Sequence, residues 1–188
     1  MASFDIIAIG GSAGSIPIVS ELLEALPGTF QYAVIIVLHR LKNVYSEMNR
    51  VLATPHKGTY IREPDDKDLI QPNSVYLAPQ NYHLLIEADR SFSLDYSELV
   101  NYSRPSIDVT FESVAGVYGS RALAVLLSGA NDDGAAGMEA ILASGGQGIV
   151  QDPATAAYSA MPRAAAERNP KALVLPPDGI IKFLSTNT

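Results

Sequence analysis

Apolar runs of strand length recur along the chain: Phe4 to Ile9, Tyr32 to Leu38, Ser74 to Ala78, His83 to Ala88, Ala122 to Ser128, Gln147 to Val150 and Ala172 to Leu175. Several are apolar at consecutive positions, the pattern of strands covered on both faces. Between them lie helix-like segments over 16–26, 44–54, 105–118, 133–144, 161–168 and 178–185. This alternation predicts an α/β fold with a doubly wound, mostly parallel sheet and helices on both faces. The stretch 57–100 departs from it, with two or three short strands, Pro64, Pro72 and Pro79, and no helical pattern. It predicts a short antiparallel excursion within one domain spanning 1–188. The acidic run Arg62 to Asp68 inside it reads as a solvated turn.

Composition narrows the class of partner. The 188 residues are 47% hydrophobic, enough for one sizeable core, and carry 20 acidic against 13 basic side chains, a net charge of -7. Lys and Arg form no stripe that could neutralise a run of phosphates, so nucleic acid is not an expected partner. No stretch approaches 18 uninterrupted apolar residues and no basic leader precedes an apolar run, so membrane insertion is not expected and the cytoplasm is the default location. The chain has no cysteine, which excludes disulfides and thiolate metal sites.

In an open parallel sheet, ligands bind beyond the C-terminal ends of the strands, so the residues that end each strand carry the chemistry. The first run ends in Gly10-Gly11-Ser12-Ala13-Gly14. The dinucleotide fingerprint G-x-G-x-x-G has no start point here, and no Gly-Lys-Ser/Thr follows, which leaves a nucleotide-binding reading without its phosphate loop. The segment does match G-x-S-x-G between strand and helix, a turn that can present a serine hydroxyl above a sheet, although a helix N-cap serine would look the same. A serine needs a base. Of the three histidines, His39 ends the next strand on the same edge, His56 lies in a loop, and His83 begins a strand. The base needs an acceptor, and the strand over 122–128 runs into Asp132 and Asp133, either of which could orient an imidazole or cap a helix. Strand ends in Ser, His and Asp point to a hydrolase, with the backbone N–H groups of Ala13 and Gly14 as natural oxyanion donors.

These stretches, together with Val75 to Ile86, Arg104 to Ala115, Leu126 to Met138 and Gly145 to Ala165, resemble in order the motifs of the CheB family, the protein-glutamate methylesterases of bacterial chemotaxis. The resemblance implies Ser12 as nucleophile, His39 as general base and Asp133 as orienting acid, with no cofactor and no metal. It also implies hydrolysis of glutamyl methyl esters on a methylated chemoreceptor or similar signalling protein, and deamidation of glutamine. The first strand begins near Met1, so no receiver domain precedes it in this sequence and a separate receiver-domain regulator is expected. Ala13, Ser15, Arg40 and Ala130 depart from the family pattern and line the expected pocket. Those departures give the alternative, a CheB-like binding or scaffold module with weakened catalysis. An acidic enzyme acting on an acidic partner needs a local positive site, and Arg40 and Arg104 are the expected docking residues.

Overall fold

The computed structural model describes residues 4–40, Met48, Leu52 and 61–187. Strands β1 (Ile6–Gly11), β2 (Ala33–Leu38) and β7 (Ala122–Leu126) are buried at every residue. Their alternate side chains feed two separate cores. Ile6, Ala8, Ile35 and Val37 point into one, while Ile7, Ile9, Val34 and Ile36 point into the other. This two-sided burial is why the runs read as continuous hydrophobic stretches.

With β3 (Ile61–Arg62), β4 (Ser74–Leu77), β8 (Gln147–Gln151) and β9 (Leu173–Leu175), these strands form a seven-stranded sheet in the order β3-β4-β2-β1-β7-β8-β9. Every neighbouring pair in it is parallel. The chain starts at β1, builds outward through β2 and β4, then returns to β7 on the other side. That reversal at β1 is a topological switch point, where the connections leave in opposite directions and a crevice opens beyond the strand ends. The first core is covered by α2 (Ile107–Tyr118), α3 (Ala135–Ala143) and α4 (Ala160–Arg168), the second by α1 (Ile16–Ala25) and α5 (Pro177–Asn187).

The middle of the chain differs from the expected excursion in one respect. Among the described strands only β5 (His83–Ile86) and β6 (Phe92–Asp95) pair antiparallel, as a two-stranded ribbon laid on the α2 side, whereas β3 and β4 join the main sheet in parallel. Val75, Tyr76 and Leu77 are buried, and Pro72 and Pro79 flank β4 without interrupting it, so nothing prevents interior pairing. Of the expected helix over 44–54, Met48 and Leu52 are helical; the rest, and His56, lie outside the described residues.

Phe111 on α2 is fully buried in the first core. Phe111→Ala is expected to lower stability by about 3–5 kcal/mol, read as a lower urea midpoint at unchanged slope.

Candidate active site

The turn after β1 is fixed at both ends. Ser12 donates its N–H to the Ser128 carbonyl at the end of β7 (2.9 Å), and its own carbonyl accepts from Ser15 N (3.1 Å) and Ser15 Oγ (2.7 Å). Ser15 is buried at the N-cap of α1, and Pro17 follows in the first turn. Gly14 takes φ +79°, and a Cβ there would stand 2.6 Å from the Ala157 Cβ, so only glycine fits both the conformation and the space. Ser12 is half-buried, and Ala13 and Gly14 are exposed. Their two N–H groups make no hydrogen bond within the chain among the described residues, and both residues lie just ahead of the N-terminus of α1.

Parallel pairing of β1 with β2 brings His39 beside this turn, since Gly11 pairs with Leu38 and the Gly11 carbonyl accepts from His39 N (3.2 Å). The imidazole is 12% exposed, and its Nε2 lies 2.7 Å from Asp133 Oδ2. Asp133 is fully buried. Its oxygens also accept from the Ser106 hydroxyl (2.8 Å), from Asn101 Nδ2 (3.0 Å), and from Ile107 N (2.6 Å) and Asp108 N (3.1 Å) in the first turn of α2. Burial works to raise the carboxyl's pKa, but the hydrogen bonds from His39, Asn101 and the α2 amides outweigh it and hold it below the ordinary 3.8. An ionised Asp133 can only accept. Nε2 must therefore carry the ring proton, which leaves Nδ1 as the basic nitrogen. The Ser103 hydroxyl lies 3.3 Å from Nδ1. No hydrogen bond joins Ser12 Oγ to His39 here; bonds of this kind commonly tighten only when substrate is bound.

The structure separates the two aspartates. Asp132 is exposed, and Asp133 caps α2, a helix distant in sequence, instead of its own. His83 is a structural histidine: its Nε2 lies 2.8 Å from the Glu98 carbonyl, and its Nδ1 accepts from Ser106 N. Ala130 is exposed at the same edge. The two expected docking arginines are placed differently. The Arg40 side chain is 4% exposed, paired with Glu63 (2.9 Å) and donating to the Ala78 carbonyl, so it is a buried wall and not an open charge. Arg104 is half-buried, donates to the Tyr96 and Ser97 carbonyls, and lies 3.8 Å over the Tyr96 ring. Among the described residues, no group of three or more His, Cys, Asp or Glu could hold a metal ion.

Sequence reading missed several groups that hold the site, Ser106 on the Asp133 carboxylate among them. Ser128 donates from Oγ to the Ala13 carbonyl (2.8 Å) and accepts from Tyr158 N (2.9 Å), tying the Ser12 turn to the loop after β8. Buried Asp108 accepts from Gly134 N, Gly137 N and Asn101 Nδ2, so Asn101 bridges two carboxylates. Burial, reinforced by the charge of Asp133, holds the Asp108 carboxyl above its ordinary value against these donors. Ser103 meets the imidazole at Nδ1. Ser106 and Asp108 announce themselves only as a helix cap and a first-turn acid, and nothing local marks Asn101, Ser103 or Ser128.

Asp133→Asn is expected to lower kcat by about 10³–10⁴-fold, and Asp132→Asn to leave it nearly unchanged. Because folding depresses the Asp133 pKa, its ionisation stabilises the fold above the unfolded carboxylate value, and that contribution is lost as pH falls below about 4. Asp108, shifted upward, has the opposite sign, its cost relieved as pH falls through its raised pKa. Urea midpoints of parent and Asp133→Asn should therefore converge from pH 7 toward pH 3, and a constant gap would contradict the assignment. Gly14→Ala should destabilise the chain by more than about 1 kcal/mol and depress esterase activity, measured on the same samples.

The family model for CheB methylesterase matches residues 7–184. A Methanosarcina acetivorans protein named protein-glutamate methylesterase/protein-glutamine glutaminase 2 is 33% identical over 182 residues, 93% of this chain and 51% of that longer protein. A Leptospira interrogans protein named for the same two activities is 44% identical over 165 residues, 88% of this chain and 85% of that one. The crystal structure of the Thermotoga maritima CheB methylesterase catalytic domain superposes with a TM-score of 0.91 over 99% of this chain and 100% of that one, at 28% identity. A Ser, a His and an Asp gathered on one edge of this parallel sheet thus stand in a chain that belongs to the CheB methylesterase family.

Proposed function

We propose that this chain is a serine hydrolase that removes methyl groups from glutamyl γ-methyl esters of chemoreceptors or similar signalling proteins, with Ser12, His39 and Asp133 as its triad. The observation that carries the reading is the buried, ionised Asp133 donated to by His39 Nε2 beside the serine turn. In this reaction Ser12 Oγ attacks the ester carbonyl carbon while His39 Nδ1 takes its proton. The oxyanion of the tetrahedral intermediate accepts from the uncommitted N–H groups of Ala13 and Gly14, which cost no reorganisation because Ser128 and Ser15 already hold the turn. Collapse breaks the carbonyl carbon–methoxy bond, and the imidazolium proton leaves with methanol. Water then attacks the acyl-enzyme with His39 again as base, and releases the glutamate carboxylate and the serine hydroxyl. A glutamine side chain follows the same course with ammonia as leaving group, in keeping with the second activity in the relatives' names. Asp133 fixes the imidazole tautomer and stabilises the imidazolium without itself taking the proton.

The accessible surface around the turn supports a large substrate, because Ala13, Gly14 and Ala130 are all exposed. No helix among the described residues is long and apolar enough to cross a membrane. The relatives' names, which are those of hydrolases, favour the enzymatic reading over a weakened scaffold.

Ser12→Ala is expected to lower methanol release from a methylated chemoreceptor fragment by about 10⁴-fold or more while leaving the urea midpoint unchanged. A serine-reactive phosphonate should label the parent once and this variant not at all. Activity close to the parent's in Ser12→Ala, or labelling at another serine, would overturn the nucleophile assignment.

A further inference from the structure

The segment Val100 to Ser103 is a tight turn closed by Val100 N to the Ser103 carbonyl (3.2 Å) and Ser103 N to the Val100 carbonyl (2.9 Å). Its two central residues, Asn101 at φ +48° and Tyr102 at φ +61°, are both left-handed, a conformation that glycine adopts without strain and an aromatic residue does not. Asn101 tolerates it and explains itself, because its side chain reaches inward to Asp108 (2.8 Å) and Asp133 (3.0 Å). Ser103 likewise turns to His39 Nδ1. The Asn101 carbonyl is held in turn by Asn131 Nδ2 (3.2 Å), which belongs to the loop of the catalytic aspartate. Tyr102 alone has no internal reason to be there. It is 94% exposed, the most exposed large apolar side chain among the described residues.

Strained residues that the fold itself does not need concentrate where something outside the fold is bound. The surroundings point the same way. Of the seven exposed large apolar side chains among the described residues, four are the tyrosines 82, 96, 102 and 158. Tyr158 is 52% exposed beside the nucleophile turn, its ring 3.3 Å from where a Cβ on Gly14 would stand. Tyr96 stacks on Arg104, one residue past Ser103, and lies 5.7 Å from Tyr82. Tyrosines of this kind offer broad contact at a low entropy cost, and they dominate surfaces that bind polypeptides.

Resting on the esterase reading above, we propose that Tyr102 is a docking residue for the polypeptide backbone and side chains that flank the esterified glutamate. A turn that touches the base and the acid from beneath presents it outward. The small ester group enters between Ser12 and the Ala13 and Gly14 amides, so the chain that carries it must lie across the rim. Tyr102 on the His39 side and Tyr158 on the Ser12 side give that chain two aromatic supports.

The test compares Tyr102→Gly, Tyr102→Phe and the parent on a methylated chemoreceptor fragment and on free N-acetylglutamate γ-methyl ester, following methanol release. Tyr102→Gly is expected to raise KM for the fragment about tenfold with kcat retained, and to leave kcat/KM on the free amino-acid ester unchanged. Its urea midpoint should not fall, since glycine relieves the left-handed strain. Tyr102→Phe should behave as the parent. Equal losses on both substrates would show that the residue shapes the catalytic turn, and no loss on either would leave it a solvated side chain; each overturns the proposal. A parent that handles the fragment no better than the free ester overturns polypeptide docking while sparing the esterase reading. A parent inert toward both esters removes the esterase reading itself and the proposal with it.

Discussion

A carboxylate with no solvent contact survives as an anion only if the protein replaces the water it has lost. Asp133 receives this replacement from three separate parts of the chain: the imidazole at the end of β2, the amide of Asn101 in the turn after β6, and the hydroxyl and two N–H groups at the start of α2. The N-terminus of a twelve-residue helix adds a favourable dipole to those bonds. Each donor is useful to the carboxylate only from one position. Satisfying Asp133 therefore fixes how α2 sits on the sheet, where the Val100 to Ser103 turn lies, and which way the His39 ring faces.

Asp108 extends the same constraint. Two carboxylates on neighbouring sides of one asparagine would repel if both were poorly solvated, and their shifts run in opposite directions. Asp133 has the larger set of donors, so it stays ionised and holds the proton of His39 on Nε2. Asp108 accepts from the amides of Gly134 at the N-cap of α3 and Gly137 in its first turn, so the same pair of acids ties α2 to α3 beside the site. Ser128 and Ser15 hold the serine turn through its carbonyls, and the Ala13 and Gly14 amides have no hydrogen-bond partner among the described residues. Groups that stabilise the fold and groups free to meet a substrate are divided between the two directions of one turn. That division is what electrostatic preorganisation requires.

Much of this was legible from the chain alone. Runs apolar at every position announced strands buried on two faces, and the observed elements start and end within a few residues of those runs because both cores alternate along each strand. Ser12 and His39 could be singled out because a parallel sheet sends all its C-terminal strand ends to one edge. The placement of β4 was less legible: a short strand hedged by prolines reads equally as ribbon or sheet, and only the burial of Tyr76 and its neighbours on both faces decides it.

What the sequence determined by itself is the periodicity of burial, the alternation of strand and helix, and a set of residue types at strand ends, since these depend on neighbours along the chain. Strand position left Asp132 and Asp133 both open and the family resemblance pointed to Asp133; the tertiary structure adds that Asp133 is the buried one bonded to His39, because that depends on whether donors 25 to 94 residues away converge on a carboxylate. It likewise made Arg40 a buried ion pair where an open charge was expected, by bringing Glu63 and the Ala78 carbonyl within reach of its guanidinium. Asn101 and Ser103 acquired their roles in the same way. A polar side chain in a turn carries no local mark of its partner, and a hydrogen bond that closes over a large sequence separation exists only once the sheet has brought its two halves together.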